Sequence, residues 1–103
     1  MQTKSNVSET IKVRAFVSAL IRWFRYSCSC RVDDNDVFCF SEDKVTARYL
    51  GIDPSNFSRY ANSQLTMSLP TFARFSRLCR EVLGERAYRD FCVQYYNEKN
   101  FGI

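Results

Sequence analysis

The stretch Thr46-Ala47-Arg48-Tyr49-Leu50-Gly51-Ile52-Asp53-Pro54-Ser55-Asn56-Phe57-Ser58-Arg59-Tyr60 carries the densest set of mutually consistent signals in the chain. Ser41-Glu42-Asp43 precedes it as a capping signature, with acids in the first turn of a helix that runs from Lys44 to Leu50. Gly51 ends that helix, because a left-handed residue is cheapest for glycine. Asp53 then caps a second helix, and Pro54 sits in its first turn, where a missing amide costs nothing. This helix continues through Tyr60 and Ala61 and fades near Asn62. Two helices crossing steeply over a tight turn need a small residue at the crossing, a glycine at the turn and apolar plugs at the junction. Ala47, Gly51, and Leu50, Ile52, Phe57 and Tyr60 stand at those places. Pro54, Ser55, Asn56, Ser58, Arg59 and Asn62 are left pointing outward, and none is acidic. A helix that enters a major groove has this character.

Outward from this core, apolar residues at helical spacing (Val13, Phe16, Val17, Leu20, Trp23, Phe24) predict a helix over about 8–26, with Ser8 and Glu9 at its start. Residues 1–7 read as a polar, flexible arm and residues 8–103 as one domain with its helix-turn-helix core at about 43–62. At Ser27 the apolar period changes to two, and Asp33-Asp34-Asn35-Asp36 has turn composition before Val37-Phe38-Cys39-Phe40. That pattern predicts a short β-hairpin setting Cys30 opposite Cys39; the alternative is a structureless acidic connection. Ser68 precedes a helix from Leu69-Pro70 that turns Phe72, Phe75, Leu78, Cys79, Val82 and Leu83 inward and ends at Gly84. A last helix over about 85–96 carries Tyr88, Phe91, Cys92 and Tyr95 on one face. The fold expected is a compact, mainly α domain of about five helices.

With 103 residues, 46% hydrophobic and 25% charged, the composition is that of a single globular domain. The longest uncharged apolar run, Ala15 to Ile21, is far shorter than the ~20 residues of a membrane span, so no span is expected. The alternative of the basic, aromatic first helix lying on an anionic membrane is disfavoured because Glu9 and the cytosolic context supply no second anchor, and no membrane partner is expected. Five cysteines without an export signal point to the reducing cytoplasm. The absence of histidine excludes Ser-His and Cys-His catalysis and imidazole zinc sites. Cys28, Cys30 and Cys39, with Cys79 or Cys92, lack the two-residue spacing of a zinc knuckle; a Cys30–Cys39 redox bridge is a second option, and small buried hydrophobes the simplest account. Asp33, Asp34 and Asp36 lack the glycine and distal Glu of a calcium loop and read as a turn, a DNA-repelling patch or a meeting place for a protein partner. No nucleophile has a recognisable base, so neither enzymatic activity nor a cofactor is expected.

The net charge of +4 is unevenly spread: +5 over 1–32, −5 over 33–43, +5 over 44–80 and −1 beyond. Eleven of the fifteen basic residues are Arg, whose planar fork suits phosphates and base edges. A polyanionic partner follows naturally, although solvated helix faces carry such charge as well.

The segment 43–83, by its Thr-Ala, Gly-Ile-Asp and Ser-x-Phe-Ser-Arg-Tyr pattern followed by Ser68-Leu69-Pro70-Thr71-Phe72, resembles the helix-turn-helix of the Cro/CI (XRE) superfamily, most of all the phage lambda CII-type transcriptional activators. It departs from them in the fifteen or so residues inserted before the motif, in Asp43 or its neighbours where a glutamine is frequent, and in Pro54 where a base-reading residue is common. The resemblance implies a cytoplasmic, phage-like or mobile-element-like transcription regulator that binds double-stranded DNA as a homodimer. It implies Ser55, Ser58, Arg59 and Asn62 near base edges, and Asn56, Lys44 and Thr46 near phosphates. Arg59 is the leading candidate for bidentate readout of guanine; its alternative is a surface Arg paired with a local acid. The dimer would be built by the 85–96 face or by Trp23, unless both complete the core. The rival function is a protein–protein interaction module, an anti-repressor or anti-activator on the same scaffold.

Overall fold

The structure is a computed structural model that describes the backbone of residues 2–101 and the side chains of residues 9–99. Six α-helices and one 3₁₀ turn follow in order: α1 (Gln2–Ser29), α2 (Asn35–Phe38), the turn Cys39–Ser41, α3 (Asp43–Leu50), α4 (Pro54–Ala61), α5 (Leu69–Leu83) and α6 (Glu85–Phe101). α1 is the spine. Its stripe of Val17, Leu20, Ile21, Phe24 and Cys28, each at most 2% exposed, is covered by the 3₁₀ turn, α4 and α5. Phe75 of α5 lies at the centre, meeting Phe24 of α1 at 5.6 Å and Phe57 of α4 at 5.9 Å, both edge to face. Edge-to-face rings set the positive rim of one ring against the negative face of the next.

α6 closes the opposite side of α1. Its Phe91 stacks on Trp23 at 5.0 Å and meets Phe16 at 5.9 Å, while Tyr95 lies edge-on to Phe16 at 5.2 Å. These aromatics pack against the core of one molecule, where Trp23, Tyr88, Phe91 and Tyr95 are half-buried. The α5–α6 corner turns at Gly84, whose φ of 100° and ψ of 149° lie in a region that essentially only glycine enters. Across it, Arg80 donates to the Ser76 hydroxyl (2.7 Å), which donates to the Tyr88 phenol (2.8 Å); Arg80 also pairs with Glu85 at 3.3 Å.

Two expectations are corrected. The helix expected over 8–26 begins at Gln2 and ends at Ser29, so Ser8 lies inside it rather than at its cap. Of the expected arm over 1–7, Met1 and all the side chains lie outside the described residues. The hairpin does not form, and no strand occurs among the described residues. Residues 27–29 prolong α1, and the alternation of Cys28, Cys30 and Val32 does not mark a buried face: Cys28 is fully buried, Cys30 is exposed and Val32 is 66% exposed. The supposed turn starts a helix, with the Asp34 carboxylate accepting from the Asp36 amide at 3.2 Å. Val37 and Phe40 are buried while Phe38 and Cys39 are exposed, a spacing of three rather than two. The physical reason is cooperative: a two-stranded hairpin has no third strand to bury its face, whereas one helical turn lays Val37 and Phe40 on α1 at once. Cys30 and Cys39 are therefore not a cross-strand pair, and all five cysteines are free thiols.

Candidate nucleic-acid interface

The α3–turn–α4 unit is held at its start, its crossing, its turn and both ends of α4. At the start of α3, Arg25 of α1 grips Asp43 through both guanidinium arms, at 2.9 and 2.6 Å. That hydrogen-bonded carboxylate holds the Arg25 pKa above its ordinary value. Glu42 occupies the cap position without a capping hydrogen bond, while Asp43 stands as the expected acid in the first turn and is held there by Arg25. At the crossing, Ala47 is fully buried, leaving room for the backbones to approach. At the turn, Gly51 is left-handed (φ 70°), its amide donates to the Arg48 carbonyl (3.1 Å) and the Ile52 amide reaches back to Ala47 (2.8 Å). This pair of bonds satisfies carbonyls that the helix end leaves open. Arg74 of α5 donates to the Leu50 carbonyl at 2.8 Å, adding a charged cap to the same end.

Asp53 starts α4, its Oδ1 accepting from the Ser55 hydroxyl (2.6 Å) and the Ser55 amide (2.8 Å). Those bonds, the hydroxyl's above all, hold the Asp53 carboxyl below the usual range. Phe57 and Ala61 point inward, and Ser18 of α1 donates to the Ala61 carbonyl at 2.5 Å, fixing the far end of α4 to the spine.

On this frame Ser55, Asn56, Ser58, Arg59 and Asn62 are all exposed, and positions 55, 58, 59 and 62 share one stripe by their spacing of three and four. Their chemistry differs. The Ser55 hydroxyl proton is committed to Asp53, which leaves that oxygen as an acceptor. The Asn62 amide nitrogen folds back onto the Ser58 carbonyl at 3.0 Å. The Arg59 side chain makes no hydrogen bond or ion pair among the described residues, so it is not the surface Arg paired with a local acid. Lys44 is exposed on the first turn of α3. Thr46 does not join them: it is 1% exposed and its hydroxyl donates to the Phe40 carbonyl at 3.3 Å, which places it in the core beneath the 3₁₀ turn.

The structure adds neighbours from the connection between α4 and α5, to which the sequence assigns no role. Ser63 takes a left-handed φ of 61°, the Gln64 amide donates to the Arg59 carbonyl (2.8 Å), and Arg14 of α1 donates to the Thr66 hydroxyl (2.7 Å). Exposed Ser63, Gln64 and Thr66 thereby continue the polar surface beyond α4. Only the position of Arg14, one turn before the buried stripe of α1, hinted at this in the sequence. On the α3 side, exposed Arg48 and Arg77 lie without ion pairs among the described residues. No group of three or more acids or cysteines among the described residues is arranged to hold a metal ion. No described helix is long and apolar enough to cross a membrane.

The arrangement can present a polar, acid-free helix stripe with one unpaired guanidinium, flanked by further basic side chains. No family model matches the chain, and no curated protein or solved structure matches it.

Proposed function

We propose that this chain is a sequence-specific DNA-binding transcription regulator, of the phage- or mobile-element-like kind, that reads the major groove with residues 54–62 and works as a homodimer in the cytoplasm. The observation that carries the reading is the outer stripe of α4: exposed Ser55, Ser58, Arg59 and Asn62, with Arg59 unpaired, on a helix anchored at its turn, its cap and its far end. A rigidly held helix with exposed polar groups can exchange its hydration for base-edge contacts at little ordering cost. Lys44, Asn56 and the Ser63–Thr66 loop would lie against phosphates, which position the helix without reading sequence.

Selection from random duplex DNA at ~150 mM salt, wild type beside Arg59→Ala, tests this. A recovered motif with two half-sites, lost in the variant, supports it. Recovery of nothing above background would sink it, and the scaffold would then serve a protein partner. One observation favours that second reading: Asp33, Asp34 and Asp36 are exposed beside Val32, 66% exposed, and Phe38, 38% exposed, at the far end of α1.

A further inference from the structure

We infer that the end of the molecule where α1, α5 and α6 converge is a self-association surface, and that its occupant is a second copy of this chain. The inference rests on the DNA-reading proposal for its purpose, a paired reader, but its test needs no DNA.

The apolar stripe of α1 runs past the core. Val17, Leu20, Ile21, Phe24 and Cys28 are covered, whereas Val13, one turn earlier on the same stripe, is 42% exposed. Facing it, Leu69 at the first position of α5 is 82% exposed, the most open large apolar side chain among the described residues. Between them lies a groove of about 330 Å³ whose walls are Val13, Phe16, Met67 and Phe72, with Lys12 the one charged residue at its edge. An apolar cavity of about 150 Å³ already takes a benzene, so this groove has room for a leucine side chain. A second groove, of about 500 Å³, adjoins it across Lys12 and opens between Ile11, 61% exposed, and Tyr96, 64% exposed.

The area suits a dimer. At roughly 200 Å² for each large side chain, the exposed parts of Ile11 (61%), Val13 (42%), Leu69 (82%) and Tyr96 (64%) come to about 500 Å² of largely apolar surface, at the upper end of what a monomer leaves uncovered. A stable interface takes about 800 Å² from each partner, roughly 65% apolar where two copies meet, which asks for about the same apolar area. A two-fold interface also requires one patch to complement itself. Here a protruding leucine stands beside a leucine-sized groove, so that each copy can seat Leu69 in the other. Lys12 and Lys99 are the charged residues lining the two grooves, with Lys99 lying over the Tyr95 ring at 5.7 Å; their stems can cover apolar surface while the ammonium groups stay in water. No residue of the α4 stripe lies in either groove, so pairing here leaves α4 free.

The test is sedimentation equilibrium of the full chain without DNA, on wild type, Leu69→Asp, Tyr26→Asp and Arg59→Ala. Leu69→Asp changes an exposed side chain at a helix N-terminus, where an acid is favourable, and far-UV circular dichroism verifies the retained fold. Tyr26, 70% exposed and about 20 Å further along α1, is the control for general loss of apolar surface. The expected result is a wild-type mass of twice 12.1 kDa, retained by Tyr26→Asp and Arg59→Ala and, at ~500 mM salt, by wild type. Leu69→Asp should weaken dimerisation roughly 100-fold or more, because two leucines lose their burial at once. A wild-type monomer at ~500 μM, or a dimer indifferent to Leu69→Asp, overturns the inference. The two proposals fail separately: a Leu69-dependent dimer that retains no DNA upholds this surface and removes the DNA reading, whereas a wild-type monomer that selects a DNA motif does the reverse.

Discussion

Among the described residues the Arg59 side chain has no hydrogen-bond or ion-pair partner, whereas Arg25, Arg74 and Arg80 are each engaged in holding elements together. Arg59→Lys is therefore expected to leave the thermal midpoint of the protein unchanged and to lose ~1–3 kcal/mol of discrimination at one base pair of a selected site, because an ammonium cannot form the paired contacts of a guanidinium. Competition binding against single-base variants of the site checks this. The cysteines separate by environment in the same way. Burial pushes the Cys28 thiol up to about 11 and the Cys79 thiol higher still. Cys30 and Cys39 are exposed. A thiol reagent at pH 8 should thus modify Cys30 and Cys39 fast and reach Cys28 and Cys79 only on unfolding, as site-resolved mass spectrometry would show. The sign of the pH dependence follows. In the unfolded chain a thiol ionises near ~8.5, while Cys28 keeps its proton in the fold, so its contribution is fully present below pH 8.5 and is lost as pH rises to about 11. The urea midpoint should fall over that window, and the fall should be smaller in Cys28→Ala.

At the scale of elements, the α3–α4 junction was legible because each of its demands is local and restrictive. A left-handed turn residue, a side-chain cap and a small crossing residue leave few alternatives, and Gly51, Asp53 and Ala47 occupy those places. Gly51→Ala should cost about 1 kcal/mol, a purely conformational penalty because no atom lies within 4 Å of the added carbon, and Gly51→Asn should cost less. Ala47→Leu should cost more, ~1–3 kcal/mol or above, by forcing α3 and α4 apart; urea denaturation of the three variants gives the ranking. Residues 27–40 were misread for the opposite reason. Alternating cysteines and a cluster of aspartates suit a hairpin and a helix end equally well, and period two over three residues is a weak signal. What decided between them was the stripe of α1, which continues to Cys28 and offers Val37 and Phe40 a surface three residues apart. Thr46 shows the same limit at the level of the site: its type and position suit a phosphate contact, but the 3₁₀ turn folds over it.

For the whole molecule, one shared core implies one cooperative unfolding transition. Phe75 touches both the spine and α4, so Phe75→Ala should cost ~3–5 kcal/mol and lower the proposed DNA affinity only through the unfolded fraction, which unfolding and binding measured at the same temperature distinguish. The proposed DNA binding should weaken with salt, with a log–log slope of about −0.9 for each phosphate contacted, whereas self-association through the Leu69 end should not. The sequence by itself determined the helical class, the inward faces of α4, α5 and α6, and the turn at Gly51, because periodicity and backbone restrictions act over a few residues. Tertiary structure alone decided the length of α1, the helical form of 35–41, the burial of Thr46, the unpaired state of Arg59 and the open end around Leu69. Each of these depends on which distant surface arrives to cover a residue or leaves it bare, and no local pattern encodes that.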